Sequence, residues 1–157
     1  MTCNDPLQMR AIGIIHTTVP DAEVAHQRRE IISTIELFPD YAEGLLGIEE
    51  YSHLFALFAL HRAGPPSAMT AYPRGDPNAP RRGVFAARGR NHPNGVGLAV
   101  VELLAVEGAR LRVRRLDAFD GTPLLDLKPY DRYDVVEEPR VPSWWRRLRE
   151  TSRGDLR

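Results

Sequence analysis

Short apolar segments separated by Gly- and Pro-rich loops run through the whole chain and limit the folds open to it. The clearest pair spans residues 98–106 and 110–116, joined by a three-residue connection with Gly108 at its centre. In the second segment apolar and Arg side chains alternate, and this period of two is typical of a strand with one buried face. Gly at a tight connection favours the positive φ of a β-hairpin. The two segments therefore predict a pair of antiparallel strands.

Other segments of the chain carry a similar signal. Residues 51–61 form a near-continuous apolar run, which predicts a strand buried on both faces, with a core helix as the alternative. Residues 40–48 place apolar side chains at helical spacing and predict a short helical turn. Further strands are predicted at residues 9–18, 30–38, 83–88 and 124–127, with loops at residues 21–30 and 62–82. The fold class predicted is mainly β, a small single-domain antiparallel barrel or sandwich with one or two short helices.

Length and composition fit one globular domain. The 157 residues suffice for one buried core, and 43% of them are hydrophobic while 27% are charged. We expect a flexible tail over residues 1–8, the barrel domain over residues 9–137 and an Arg- and Trp-rich tail over residues 138–157. The sequence has no apolar run long enough to cross a membrane and no secretory leader pattern. We therefore expect a cytoplasmic protein without a membrane partner.

The net charge of zero hides a difference between the two halves of the chain. Residues 1–79 carry five basic and ten acidic side chains, whereas residues 80–157 carry sixteen and eleven. All but one of the basic residues are Arg, a residue suited to phosphate recognition, although biased codon usage is the alternative explanation. An RNA-binding surface, or else merely a solvated charged face, is predicted for Arg112, Arg114, Arg146, Arg147 and Arg149.

The motifs of several enzyme classes are missing from the sequence. It contains no Cys-x-x-Cys pair, no His-Glu-x-x-His, no P-loop and no Gly-x-Gly-x-x-Gly after a strand. The single Cys3 excludes an internal disulfide, and the five histidines are scattered without carboxylates at a fixed spacing. We therefore expect no metal, no covalent catalysis and no Rossmann-type nucleotide site.

Two polar loops are the sequence's strongest candidates for a binding site. They span residues 88–95 and 117–123, and they combine Gly and Pro with Arg, Asn, His and Asp. Such loops on a rigid sheet often carry function. Arg88 suits a carboxylate, Asp117 or Asp120 suits hydroxyl or amine donors, and Gly121 permits close backbone approach. The alternative is an ordinary turn, since Asp-Gly and Thr-Pro are common turn dipeptides.

The amino-acid sequences of these segments resemble the motifs of a known family. Residues 83–88 are GVFAAR, residues 117–123 are DAFDGTP and residues 126–130 are DLKPY. They resemble the motifs G-V-F-A-T-R, D-x-x-D-G-T-P and D-I-K-P-Y of the TrmO (YaeB-like) family of S-adenosylmethionine-dependent tRNA methyltransferases. Other family motifs correspond, in order, to residues 12–17, 25–27, 37–45, 50–54 and 61–62. The resemblance covers the chain from residue 12 to residue 130.

The resemblance implies a β-barrel that pairs as a homodimer, binds S-adenosylmethionine and methylates threonylcarbamoyl-adenosine beside the tRNA anticodon. The cofactor residues it implies are His26, Gln27, His61, Arg62, Arg88, Leu98, Asp117, Asp120, Gly121 and Thr122. The nucleotide side would be formed by Arg90, Asn91, His92, Asn94, Lys128 and Tyr130. Removal of the acceptor proton needs a base, for which Asp126 and Tyr130 are both candidates.

One loop departs from the family pattern. Where members carry R-P-N-P-I-G, this chain has His92-Pro93-Asn94-Gly95-Val96-Gly97, which lacks the permanent charge of Arg and the rigidity of the second Pro. The departure lies on the acceptor side. Two alternatives to a tRNA methyltransferase therefore remain: an enzyme of the same fold acting on a small molecule or another nucleoside, and a non-enzymatic S-adenosylmethionine-binding protein.

Overall fold

A closed antiparallel barrel of six strands forms the centre of the molecule. The computed structural model describes residues 7–64, 66–73, 76–90 and 92–144. The strands follow each other around the barrel in the order β1-β2-β7-β6-β3-β8, which confirms the predicted fold class. In chain order the elements are β1 (Gly13–His16), α1 (Asp21–Gln27), β2 (Ile32–Leu37), β3 (His53–Ala59), β4 (Thr70–Ala71), β5 (Arg82–Gly83), β6 (Val96–Glu107), β7 (Arg110–Arg114) and β8 (Thr122–Pro129). Short 3₁₀ turns lie at Pro39–Leu45, Ile48–Glu50, Val84–Ala86 and Arg132–Asp134.

Alternate side chains of every barrel strand fill the interior. Strand β8 closes the barrel because it pairs with both β1 and β3, and its Leu124 lies opposite Gly13 of β1 and Phe58 of β3. In a strand with one face inside the barrel and one outside, apolar residues alternate with polar ones, and every residue of β7 follows this pattern. The fully buried core side chains are Ile15, Ile35, Leu54, Val101, Leu111, Val113, Leu116 and Leu124.

The predicted hairpin is present between β6 and β7. Gly108 has a φ of 61°, the left-handed conformation that the tight connection requires. The predicted helical turn after residue 40 is also present, as the 3₁₀ turn Pro39–Leu45. Turn chemistry and local spacing were sufficient for both predictions.

The loop predicted for residues 21–30 is wrong, because Asp21–Gln27 form helix α1. The helix contains one buried residue, Val24, so it carries almost no apolar periodicity for sequence reasoning to detect. Its stabilising features are electrostatic: Asp21 and Glu23 in the first turn and His26 in the last turn complement the helix dipole.

The strand predicted at residues 51–61 is present as β3, but the prediction that both of its faces are buried is wrong. Leu54, Ala56 and Phe58 are buried in the core. The residues between them, including Phe55 and Leu57, are only half-buried because they point out of the barrel. The continuous apolar run therefore covers a core face and a partly exposed apolar outer face.

The strand predicted at residues 83–88 is wrong beyond Gly83, because the chain turns there into the 3₁₀ turn Val84–Ala86. The backbone N–H of Val84 donates to the carbonyl oxygen of Met69 (3.0 Å), and that of Ala87 donates to Val84 (3.2 Å). The partner strand β4 offers only two residues for pairing, so the ladder cannot continue. The loop predicted at residues 62–82 is interrupted by β4 and by the first residue of β5.

The chain divides into two compact units. The first holds the barrel and comprises residues 1–67 and 90–131, and the second comprises residues 68–89 and 132–157. Within the second unit Arg81 donates to the hydroxyl of Thr70 (2.6 Å), and its guanidinium lies 6.0 Å from the ring centre of Tyr72. Residues 1–6 and 145–157, which include most of both predicted tails with Arg146, Arg147 and Arg149, lie outside the described residues. The domain boundaries at residues 9 and 137 stay predictions.

Gly97 supplies a test of the barrel packing. It lies opposite Phe58 in the β3–β6 ladder, and a Cβ at this position would overlap the Phe58 ring. That ring is 3% exposed and has little room to move. We predict that Gly97→Ala lowers the free energy of unfolding by about 1–3 kcal/mol, as overpacking does in other cores. The measurement is urea denaturation followed by circular dichroism.

The matched control is Gly44→Ala, because a Cβ on Gly44 meets no other atom within 4 Å. Its midpoint should stay close to that of the unchanged protein. Equal midpoints for Gly97→Ala and Gly44→Ala would contradict the packing assigned to Gly97.

Candidate functional site

The loop between β7 and β8 is held in place at both ends. At its start Arg115 adopts a φ of 74°, which is uncommon for a residue with a side chain, and its N–H donates to the carbonyl oxygen of Ile31 (2.8 Å). At its end Gly121 has a φ of 76°, and its N–H donates to the carbonyl oxygen of Ile15 (2.9 Å). Buried Leu116 and Ala118 anchor the middle. The loop therefore presents its polar residues from a fixed backbone.

Arg62, three residues after the end of β3, connects this loop to helix α1. Its guanidinium forms an ion pair with Asp21 and donates to the backbone carbonyl oxygen of Asp120 (3.4 Å). The same group lies 5.3 Å from the centre of the Phe119 ring. Its Nε–H donates to Nε2 of His61 (3.3 Å). We call these five residues, Asp21, His61, Arg62, Phe119 and Asp120, the Arg62 cluster.

The ion pair at the centre of the Arg62 cluster is accessible to solvent. The side chains of Arg62 and Asp21 are both 49% exposed. Exposed pairs of this kind contribute only about 0.2–1 kcal/mol. The guanidinium is therefore open to solvent beside Asp21, where a ligand can reach it.

Asp120 is oriented from strand β1. Its Oδ1 accepts a hydrogen bond from the backbone N–H of Thr17 (3.1 Å) and lies 3.6 Å from Nδ1 of His16. The carboxylate is 61% exposed, so one side of it faces solvent while the other is fixed by β1. An exposed, oriented carboxylate is suited to accept hydrogen bonds from hydroxyl or amine groups of a ligand.

Several predicted site residues meet at this end of the barrel. His61, Arg62, Asp120 and Gly121 lie within or beside the Arg62 cluster. The loop carrying Asn94 arrives at the same place, because the N–H of Leu60 donates to the carbonyl oxygen of Gly95 (2.7 Å). Predicted cofactor residues and the loop of a predicted acceptor residue are therefore neighbours at the end of the barrel that carries the loop between β7 and β8.

The two candidate bases lie farther along the chain, Asp126 within β8 and Tyr130 just after it. Asp126 is four residues beyond Thr122, the first residue of β8, which at strand spacing is roughly 13 Å along the sheet. Asp126 forms an ion pair with Lys128 (2.7 Å) on the outer face. Tyr130 packs edge-on against Phe55, with ring centres 5.3 Å apart. Within one chain, the structure does not bring Asp126, Lys128 or Tyr130 to the Arg62 cluster.

The remaining predicted residues occupy several positions. His26 and Gln27 form the last turn of α1, and Asp117 is exposed in the loop. Thr122 is buried at the start of β8 with 3% exposure. Leu98 points outward from β6 beside Leu57 and is 48% exposed. Arg88 belongs to the second unit, Arg90 is exposed in the first, His92 is half-buried, and Asn91 lies outside the described residues.

Sequence reasoning missed Asp21 and Phe119, two members of the Arg62 cluster. Asp21 was assigned to a loop, although a Pro followed by Asp and Glu is a recognisable helix start. Phe119 lay inside a loop that was recognised, but its role as a partner of Arg62 depends on a residue distant in sequence. Only the second omission was beyond the reach of local patterns.

No group of three or more His, Cys, Asp or Glu side chains is arranged to hold a metal ion in the part of the chain that the structure describes. Among the same residues no helix is both long and apolar enough to cross a membrane.

The closed barrel and the polar loops at one of its ends define a small β-barrel domain with a candidate ligand site built from loops. Comparison with known families identifies it further. The chain belongs to the tRNA-methyltransferase O N-terminal domain family, whose model matches residues 16–134. The family resemblance seen in the sequence is thereby confirmed.

Individual relatives agree with this assignment. A protein of Pyrococcus abyssi named as a probable S-adenosyl-L-methionine-binding protein is 39% identical over 139 residues, covering 84% of this chain and 73% of that protein. The mouse tRNA (adenine(37)-N6)-methyltransferase is 32% identical over 132 residues, covering 83% of this chain and 31% of the mouse protein. The crystal structure of TrmO from Pseudomonas aeruginosa superposes with a TM-score of 0.70 at 32% identity, covering 88% of this chain and 63% of that chain. The chain thus spans less than two thirds of the solved TrmO and about a third of the mouse enzyme.

Proposed function

We propose that this chain is an S-adenosylmethionine-dependent N-methyltransferase that acts on threonylcarbamoyl-adenosine next to the anticodon of tRNA. The observation that carries the proposal is the Arg62 cluster at the loop end of a barrel of this family. The relatives named as tRNA (adenine(37)-N6)-methyltransferases support tRNA as the substrate. A cytoplasmic location follows from that substrate as part of the same proposal.

The donor and acceptor set at the loop end fits the cofactor. S-adenosylmethionine has a carboxylate, an ammonium group, a ribose diol and an adenine ring, and it supplies an activated methyl group on a sulfonium. Arg62 would hold the carboxylate, and the oriented Asp120 would accept from the ammonium or the ribose hydroxyls. The partly exposed ring of Phe119 offers an apolar surface, and no atom lies within 4 Å of where a Cβ would stand on Gly121.

The chain's own contribution to the reaction is mainly positioning. Methyl transfer to nitrogen needs the donor and acceptor aligned, and it forms no covalent bond to the protein. We propose that His26, Gln27, Leu98, Asp117 and Thr122 complete the cofactor site, and Arg88 stays a cofactor residue proposed from the family resemblance alone. The acceptor nucleoside would be held by Arg90, Asn91, His92, Asn94 and Lys128, with Asp126 or Tyr130 taking the proton from its nitrogen.

A second candidate function rests on the loop that carries Asn94. Its His92 and Gly95 replace an Arg and a Pro of the family motif, both on the acceptor side. The Pyrococcus relative is named for cofactor binding alone. The same barrel would then bind S-adenosylmethionine while acting on a small molecule or another nucleoside, or without catalysing a reaction.

We also propose that the protein is a C2 homodimer. The outer apolar face, formed by Phe55, Leu57, Val96, Leu98 and Val100, is one candidate interface. Leu98 is 48% exposed and Val96 37% exposed, although both side chains are apolar. A face of this kind on a small domain favours association.

The proposed activity is tested with purified protein, S-adenosylmethionine carrying a deuterated methyl group, and tRNA that contains threonylcarbamoyl-adenosine. Nucleoside mass spectrometry should find one deuterated methyl group on that nucleoside. Arg62→Gln removes the charge expected to bind the cofactor carboxylate and should raise the KM for the cofactor by about tenfold or more, the loss typical of a hydrogen bond to a charged group.

Arg114→Gln is the matched control, because Arg114 forms an ion pair with Glu102 (2.8 Å) on the barrel wall. It should leave the KM for the cofactor unchanged. Cofactor binding without any methylated tRNA would favour the second candidate function, and equal effects of Arg62→Gln and Arg114→Gln would contradict the role of Arg62.

The dimer proposal predicts twice the monomer mass of 17.7 kDa in light scattering at tens of micromolar protein. Leu98→Glu places a charge in the outer apolar face and should shift the protein toward monomer. Leu46→Glu is the control, since Leu46 is 93% exposed and lies outside that face. A monomeric unchanged protein would refute the dimer, and a Leu98→Glu protein that stays dimeric would refute this interface.

A further inference from the structure

A groove lies on the outer wall of the barrel, across β1, β2, β7 and β6. Its volume is about 430 Å³, which is within the range of small-ligand sites. The residues that line it are His16, Thr34, Glu36, Ala105, Glu107, Arg110 and Arg112. None of them belongs to the Arg62 cluster.

The strand register explains the shape and charge of the groove. Outward-facing residues form transverse rows, and one row runs His16, Thr34, Arg112 and Ala105 across the four strands. The small side chain of Ala105 at the end of the row leaves space next to the long side chain of Arg112. The row contains two groups that can donate hydrogen bonds beside a guanidinium, and it contains no carboxylate.

The neighbouring rows differ because their arginines are paired. Arg110 lies opposite Glu36 and forms an ion pair with it (3.0 Å). Arg114 lies opposite Glu102 and forms an ion pair with it (2.8 Å). Of the three arginines that point outward from β7, Arg112 is the one that forms no ion pair with any described carboxylate. Its charge is therefore available to an external anion.

The groove adjoins the Arg62 cluster through His16. One nitrogen of the imidazole lies 3.6 Å from Asp120, a member of the cluster, and the other lies 3.7 Å from Glu36, which lines the groove. A ligand in the groove would therefore lie one side chain away from the loop that presents Asp120. The two sites are neighbours on the barrel surface.

We infer that this groove binds a backbone phosphate of the RNA substrate, with Arg112 as the principal contact and the Thr34 hydroxyl as a further donor. The inference rests on the proposed tRNA methyltransferase function. Guanidinium groups pair with phosphate oxygens in a two-pronged geometry, and hydroxyl groups complete such sites. Two acidic residues line the groove and could repel a phosphate. The charge of Glu36 is balanced by its ion pair with Arg110, and Glu107 lies at the hairpin end of the groove. Arg112 positions the RNA beside the cofactor site and reads no base.

The test measures the affinity of the full-length protein for tRNA by fluorescence anisotropy over a series of KCl concentrations. Arg112→Gln should weaken binding by about tenfold at low salt and reduce the slope of log affinity against log salt by about one, the signature of one lost phosphate contact. Arg114→Gln is the matched control on the same strand and the same face. The sequence grouped Arg114 with Arg112, but the ion pair with Glu102 balances its charge, so its slope should equal that of the unchanged protein. The affinity of both variants for S-adenosylhomocysteine should be unaltered, which also shows that they are folded.

Each outcome separates the inference from the function on which it rests. An unchanged protein that methylates tRNA, with equal salt slopes for Arg112→Gln and Arg114→Gln, would overturn the inference and leave the function standing. A protein that neither binds nor methylates tRNA at low salt would overturn both. If Arg112→Gln changed only the affinity for S-adenosylhomocysteine, the groove would belong to the cofactor, and the assignment to RNA would be wrong.

Discussion

The double pairing of β8, with β1 on one side and β3 on the other, determines where the candidate site lies. It closes the barrel, and it places the loop before β8 between the end of β1 and the turn after β3. Thr17 reaches Asp120 from the first of these elements, and Arg62 reaches it from the second. Because burial of Ile15 and Leu124 fixes the strands, the polar loop is held in position by hydrophobic packing and not by its own exposed ion pairs.

The same closure explains how far sequence reasoning could go. Alternation of apolar and polar residues predicts the strands and the hairpin at Gly108, since these depend on neighbours in sequence. The loop at residues 117–123 was recognisable from its composition and from family motifs. Its connection to Arg62, and through Arg62 to Asp21, was not recognisable. The contact between Arg62 and Asp120 spans 58 residues, that between Arg62 and Asp21 spans 41, and both depend on strand order.

Two errors have a common physical origin. Helix α1 has one buried side chain, and the segment at residues 83–88 pairs through Gly83 only, so neither carries a regular apolar pattern. In both, hydrogen bonds and local charge determine the conformation, and these leave weak traces in composition. Gly97 shows the reverse: it belongs to a family motif, yet the structure gives it a packing role against Phe58.

Strand β8 also separates the candidate binding groups from the candidate bases. Phe119 and Asp120 of the Arg62 cluster precede its first residue, Asp126 and Lys128 lie in its second half, and Tyr130 follows its last residue. Within one chain the candidate bases are therefore separated from the Arg62 cluster along the strand, and the proposed homodimer is one arrangement that could bring them together.

The central claim is that the Arg62 cluster holds the cofactor, and a two-dimensional amide NMR titration with S-adenosylhomocysteine tests it most directly. The largest chemical-shift changes are expected at the amides of Thr17, Arg62, Asp120 and Gly121. Little change is expected at Gly108, in the hairpin at the opposite end of β7. Shifts confined to the hairpin, or saturating binding that leaves the amides of Thr17 and Gly121 unmoved, would contradict it.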